Sequence, residues 1–193
     1  MKKSVLILMM LCAIVHAFGQ DASEEGEEKK GFSRDKLFVG GNFGLSFGTY
    51  TLINVSPQIG YRFNKHFAAG TGVNLQYVSL KERFSNGNLF RKSSQGVVGL
   101  NMFGRVYPIQ HFMLQVQPEA NYVFGKEIYY DSNPRQEYTM DAQIVPSLLL
   151  GGGLVLPAGR GATIISLFYD VLQNENSPYS NRPIFNFTFN VGL

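Results

Sequence analysis

The sequence predicts an all-β fold, an eight-stranded antiparallel up-and-down transmembrane β-barrel. Three observations predict it. From Lys36 onward, stretches of about ten to thirteen residues alternate apolar with small polar residues, the period of a strand whose successive side chains point to opposite faces. The apolar faces carry no charge and the opposite faces hold Gly, Asn, Gln and Ser, as suits a wall between lipid and a polar interior. The connections are alternately short and long, as in outer-membrane barrels with short periplasmic turns and longer outer loops.

The chain of 193 residues opens with Lys2 and Lys3, an apolar run from Val5 to Val15, and small residues at Ala17 and Gly19. That is a secretory signal, assigned to residues 1–19. As an anchor the run is too short to cross about 30 Å of hydrocarbon. The single cysteine, Cys12, lies inside the signal after Leu11, where a lipoprotein signal needs a small residue. The mature chain therefore has no disulfide, thiol nucleophile or thiolate metal site. The net charge is +3, and loss of Lys2 and Lys3 with the signal leaves +1, so nothing calls for nucleic acid. Asp21 to Lys30 holds Asp21, Glu24, Glu25, Glu27 and Glu28 against Lys29 and Lys30; residues 20–35 are assigned as an acidic flexible leader and 36–193 as the barrel.

In Lys36 to Gly48, Leu37, Val39, Phe43, Leu45 and Phe47 share a face. In Thr51 to Phe63, Ile53, Val55, Ile59, Tyr61 and Phe63 do. A tight connection at Asn64 to His66 leads to Phe67–Leu80, with Val73, Leu75 and Tyr77 set against Gly70, Gly72, Asn74 and Gln76. A long loop, 81–94, precedes Gln95–Tyr107. A turn at Pro108 to His111 leads to Phe112–Phe124, whose Phe112, Leu114, Val116, Ala120, Tyr122 and Phe124 oppose Gln115, Gln117, Glu119 and Asn121. A second long loop, 125–138, precedes Thr139–Leu156; the apolar end of that stretch, broken by Gly151, Gly152 and Gly153, is too short and flexible for a membrane helix. Ala162–Val171, a loop over 172–183, and Ile184–Leu193 complete the set. The last strand places Phe185, Phe187, Phe189, Val191 and Leu193 on one face. Phe185, Phe187, Phe189 and Leu193 are the expected assembly signal.

A secreted β-sandwich also alternates apolar and polar residues. The stretches are longer than the five or six residues usual in soluble sheets, and their polar faces hold Gly, Asn, Gln and Ser where a solvated face would favour Lys, Glu and Thr. Pro57, Pro118 and Pro146 fall inside strands on the apolar phase. Each forfeits a ladder hydrogen bond, so a local bulge is expected at each.

Lys36-Leu-Phe-Val-Gly-Gly-Asn-Phe-Gly44, Pro57-Gln-Ile-Gly-Tyr-Arg-Phe63 running into Asn64-Lys65-His66-Phe67, Gly70-Thr-Gly72 and the terminal strand together resemble the small eight-stranded outer-membrane barrels of Bacteroidota, the PorT-like proteins, related in architecture to the OmpA and OmpX barrels. The resemblance covers nearly the whole mature chain. It implies the fold and an outer-membrane location, and through PorT-like relatives a link to protein secretion. Leu193 departs from the aromatic residue with which such barrels often end.

An eight-stranded barrel is just wide enough for side chains to fill it, so a polar plug is expected rather than a pore. Arg62, Arg105, Glu119 and Asp141 fall on the inward phase, with Asp170 a further candidate near the outer rim. At least one arginine is expected to pair with a carboxylate or with a ring of Asn and Gln, because an unpaired interior charge is costly. Arg62 and Arg105 sit near the periplasmic end and Glu119 nearer the middle, so water or amides would bridge them. Some barrels of this size modify lipid A or cleave peptides with a histidine near the outer rim. Here His66 and His111 both fall in periplasmic turns, which disfavours a histidine-based hydrolase. Their separation forms no metal-ligand spacing, and no cofactor is implied. The loops mix aromatics with charge: Arg83, Phe84, Phe90, Arg91, Tyr129 and Tyr130 suit partner contact, whereas Lys81, Arg83, Arg91 and Lys92 equally suit lipid phosphates. The expectation is a monomeric, non-enzymatic outer-membrane barrel with a structural, adhesive or assembly and secretion-accessory role. Its expected partners are outer-membrane lipid, the barrel-assembly machinery and an unidentified extracellular or envelope protein. A lipid-modifying enzyme and a narrow channel are the alternatives.

Overall fold

The computed structural model describes residues 33–131, 134–159, 161–179 and 182–192. The assigned signal, the leader through residue 32 and Leu193 lie outside the described residues. Eight strands form a closed barrel in chain order: β1 (Leu37–Ser46), β2 (Tyr50–Arg62), β3 (Phe67–Arg83), β4 (Leu89–Ile109), β5 (Phe112–Tyr129), β6 (Gln136–Ala158), β7 (Gly161–Asp170) and β8 (Ile184–Gly192). Every neighbouring pair is antiparallel, and β1 closes on β8 with Val39 opposite Val191 and Asn42 opposite Thr188. A 3-10 turn at Arg34–Lys36 precedes β1, so Lys36 belongs to that turn and not to the first strand.

Closure gives each strand two partners and so removes the free edges that an open sheet must hide. The alternation then sorts side chains strictly. The outward faces of β1 to β8 between the two rims hold no Asp, Glu, Lys or Arg, and large apolar side chains there stand open, Leu100 and Met102 at 66%, Ile144 at 73% and Phe185 at 74%. Aromatic rings border this belt. Tyr61, Phe63 and Phe67 stack at 5.2 and 5.4 Å at the end that carries the short turns, and Tyr122 and Phe124 lie 5.9 Å apart toward the other. From Phe67 to Tyr77 on β3 the belt is about 25 Å tall for a strand tilted as in membrane barrels.

The wall is uneven. Strands β3 to β6 run 17, 21, 18 and 23 residues, whereas β1, β7 and β8 run 10, 10 and 9. Much of the expected long loops is therefore strand: the ladder continues through Glu82 opposite Arg91 and Tyr129 opposite Gln136, leaving connections only over 84–88 and 130–135. The reason is that a hairpin beyond the apolar belt keeps its backbone pairing but no longer needs a greasy face, so the alternation stops before the strand does. Cross-strand rings and ion pairs hold it instead.

The prolines do not produce bulges. At Pro57 the β2–β3 ladder skips from Val55–Leu75 to Gln58–Gly72 in unchanged register, while Gly41 pairs with Pro57 on the other side. At Pro118 the β4–β5 ladder skips likewise, and Pro118 stays paired with Leu148. Pro146 pairs with Ala120, and its other side lies beyond the last β6–β7 pair, Leu149–Asp170. One lost hydrogen bond is tolerated where the second neighbour still holds the strand. The register shifts instead fall at Glu82/Arg83, Val106/Ile109 and Val123/Gly125.

Candidate functional site

Among the described residues, the lumen gathers most of the buried polar and charged side chains, and it is filled in two different ways. An apolar column starts at the end that carries the short turns, with Phe38, Tyr107, Met113 and Val155, and climbs the β6–β7 wall through Ile164, Leu149 and Phe168. Its rings lie across glycines on the adjacent strand. Phe38 is paired with Gly60, Phe103 with Gly70 and Phe168 with Gly151, and a Cβ at any of these glycines would overlap the ring. The small residues of the inward faces are thus seats for aromatics contributed by neighbouring strands.

The rest of the lumen is a hydrogen-bonded chain. Arg105, 2% exposed, donates from Nε to Gln115 Oε1 at 2.6 Å and from Nη2 to Gln58 Oε1 at 3.0 Å. Asn190, oriented with its carbonyl oxygen toward the guanidinium, accepts from Nη1 at 3.1 Å. The guanidinium also lies 4.3 Å from the Phe103 ring centre and 5.8 Å from that of Phe38, a cation over two aromatic faces. Gln115 Nε2 donates to Gln117 Oε1, and Gln117 Nε2 donates to Glu119 Oε1 at 2.6 Å. Arg105 and Glu119 are therefore joined through two amides, the bridged arrangement expected from their difference in height. Asn121 donates to the other Glu119 oxygen at 2.9 Å, and Asn74 links Asn101 to Asn121 at 2.7 and 3.2 Å. Among this set the free volume at mid-height is about 10 Å³, room for no more than about one water. Ser147 Oγ, on β6 opposite Glu119, is buried without a hydrogen-bond partner.

The mouth is closed by the β7–β8 connection. Because β7 and β8 are short, the wall is low there, and the segment folds inward over the gap. Asp170, fully buried, accepts from Ser177 Oγ at 2.7 Å and from the Leu148 and Leu172 amides at 3.1 and 3.2 Å. Tyr179 reaches down to donate to Glu119 Oε2 at 2.6 Å. The described residues through Tyr179 of the loop expected over 172–183 are thus part of the plug.

Of the expected lumen residues, Arg105 and Glu119 are brought into one network. Arg62 is exposed at the opposite opening, its guanidinium 5.2 Å over the Tyr107 ring, where Lys36, Lys65 and His66 also line a vestibule of about 720 Å³. Asp141 is exposed and outside the plug. The shift between Val123–Gln143 and Gly125–Met140 sets Asp141 and Ala142 together against Phe124, and one extra residue reverses the phase from which its inward direction was inferred. Asp170, the further candidate near the outer rim, is buried at the mouth, and Gln58, Gln115, Gln117, Asn121 and Tyr179 complete the network without having been singled out. Gln115 and Gln117 share the phase of Glu119, the one signal that pointed to them.

The expected loop contacts lie mostly on the strand extensions and hold each other. Rings run from Phe84 to Phe90 (4.9 Å), Phe90 to Tyr129 (6.1 Å) and Tyr129 to Tyr138 (5.8 Å). Arg91 forks onto Glu82 at 2.6 and 3.2 Å and faces Glu127 at 3.7 Å. Arg83 bonds Gly87 O at 2.9 Å, and Arg135 lies 4.9 Å over Tyr130. His66 and His111 sit in the turns at the end opposite the mouth, with His66 Nδ1 2.9 Å from Tyr107 O. Phe185, Phe187 and Phe189 stand outward on β8.

No protein-family model matches the chain. No curated protein matches it either. Among solved structures, the chain is similar to the outer membrane protein Ail of Yersinia pestis, whose backbone structure was determined in a phospholipid bilayer nanodisc. The identity is 12% and the TM-score 0.47, over 80% of this chain and 97% of that one.

Proposed function

We propose that the chain is a monomeric integral barrel of the bacterial outer membrane, non-enzymatic, with a lumen plugged as a structural element and protruding hairpins that serve adhesion or an assembly and secretion-accessory role. The observation that carries this reading is an uncharged apolar belt, bordered by aromatic rings, around a lumen packed to about 10 Å³ at mid-height. Such a belt is stable only where hydrocarbon replaces water, and such a lumen passes no hydrated ion. Phe185, Phe187 and Phe189 are proposed to present the assembly signal, outer-membrane lipid to surround the belt, and the ring chain from Phe84 to Tyr138 to meet an extracellular or envelope protein. Against the enzyme reading, the described histidines lie at the end opposite the mouth. No cofactor enters the proposal.

The test combines mobility with conductance. The mature chain folded in detergent is expected to run faster on a gel before boiling than after, and to stay silent in planar bilayers. A chain monodisperse in plain buffer without amphiphile refutes the membrane reading; steady single-channel openings refute the plug. Crosslinking in intact cells through Phe84 identifies the partner.

A further inference from the structure

The outer wall between β2 and β6 combines two features that only one kind of molecule satisfies together. Below the rim, Ile53, Val55, Leu75, Val98 and Phe124 border an apolar groove of about 650 Å³. Gly96, paired with Tyr77 on one side and Phe124 on the other, lies in its lining, with the Phe124 ring seated across it. Directly above, Ser79 is paired with Ser94, their hydroxyls 3.4 Å apart, and Ser94 with Lys126. One row higher Lys81 is paired with Lys92.

Two lysines directly opposite on neighbouring strands repel unless an anion lies between them. Among the described residues neither has an ion-pair partner. The nearby acids are taken, Glu82 and Glu127 by Arg91 and Glu137 by Lys126 at 2.8 Å. A phosphate held between the two ammonium groups, with the partly exposed Ser94 hydroxyl as a further donor, resolves the repulsion. An acyl chain running down from it fills the groove. A protein partner would match the charges without entering the belt, and a neutral lipid would fill the groove without relieving the lysines.

Resting on the outer-membrane reading above, we propose that this face is a binding site for a phosphorylated lipid of the outer leaflet, its phosphate on Lys81 and Lys92 and one acyl chain in the groove between Val55, Leu75 and Val98.

The chain contains no tryptophan, so a single introduced one reports its own lipid neighbours. Val98→Trp places it in the groove and Phe187→Trp on β8, across the barrel. Each variant of the mature chain is folded into phosphatidylcholine vesicles containing, at equal mole fraction, either phosphatidylcholine or phosphatidic acid brominated on its acyl chains. Brominated phosphatidic acid is expected to be enriched about thirtyfold over the neutral lipid at the groove tryptophan, the gain of two nearby lysines, and to show no preference at the β8 tryptophan. Lys81→Gln with Lys92→Gln is expected to abolish the preference while the unheated protein still migrates fast. Equal quenching by the two lipids in the groove overturns the proposal, as does a preference that survives loss of both lysines. Absence of quenching by either lipid at both positions refutes the membrane reading itself, a separate outcome.

Discussion

The apolar column on the β6–β7 side and the polar chain from Arg105 to Glu119 fill the same lumen by different physics. The column is non-directional. Phe38, Phe103 and Phe168 need only volume, which glycines on adjacent strands supply, and burial of each ring contributes by area. The polar chain is directional, because each amide must meet the next with donor facing acceptor and an unmet group in low dielectric is costly. The difference teaches where each tolerates change. The column fails when a volume is wrong, the chain when a single link is missing.

The largest effect is expected from the residue that belongs to both. Arg105→Ala removes the cation over Phe103 and Phe38 and strands Gln58 and Gln115, and about 3–5 kcal/mol of stability is expected to be lost, read as a lower denaturant midpoint for the heat-modifiable gel shift. A result below about 1 kcal/mol would mean the two systems are independent. Next, Gly151→Val drives a side chain into Phe168 and the Leu167 carbonyl and is expected to cost about 1–3 kcal/mol by overpacking; in the same assay, Phe168→Ala combined with it should recover part of the loss. Tyr179→Phe removes one hydrogen bond to a carboxylate at the mouth and is expected to cost about 1.5–3 kcal/mol locally. Proteolysis within 171–183 should then rise several-fold while planar bilayers stay silent, because the column below is untouched. Openings in that variant would show that the mouth, not the column, seals the lumen. Smallest is Ser147→Ala. It deletes a buried hydroxyl with no partner, so the midpoint is expected to hold or rise by up to about 1 kcal/mol.

Much of the architecture was legible in the residue order. The eight strands and the uncharged outward faces follow from a two-residue period that hydrocarbon enforces at every outward position. The period became unreadable where that enforcement ended. Leu89 to Ser94 and Gly125 to Tyr129 extend strands whose two faces are both polar or mixed, so nothing in the pattern distinguishes them from loop. Asp141 was misplaced for a related reason: inward and outward were extrapolated along β6 through a bulge that has no composition of its own. The prolines erred in the opposite direction, since a missing N–H costs little when the neighbouring strand still pairs.

Within the lumen, Arg105 and Glu119 were visible as inward charges, and Gln115 and Gln117 as their neighbours in phase. Phe38, Phe103 and Phe168 were not visible as interior residues, because the phase rule assumed a polar inside, and their seats at Gly60, Gly70 and Gly151 lie on other strands. Asp170 and Tyr179 join the network only because β7 and β8 are short enough for their connection to turn inward.

Side-chain alternation is a local property of an extended backbone, so residue order alone specifies which face meets the surroundings and how many walls the chain builds. Which residues stand at the same height is set by register and by where each strand stops, and these arise from ring closure among all eight. That is why Gln117 finds Glu119 in the sequence, but Arg105 finds Gln58, Phe168 finds Gly151 and Tyr179 finds Glu119 only in the closed barrel.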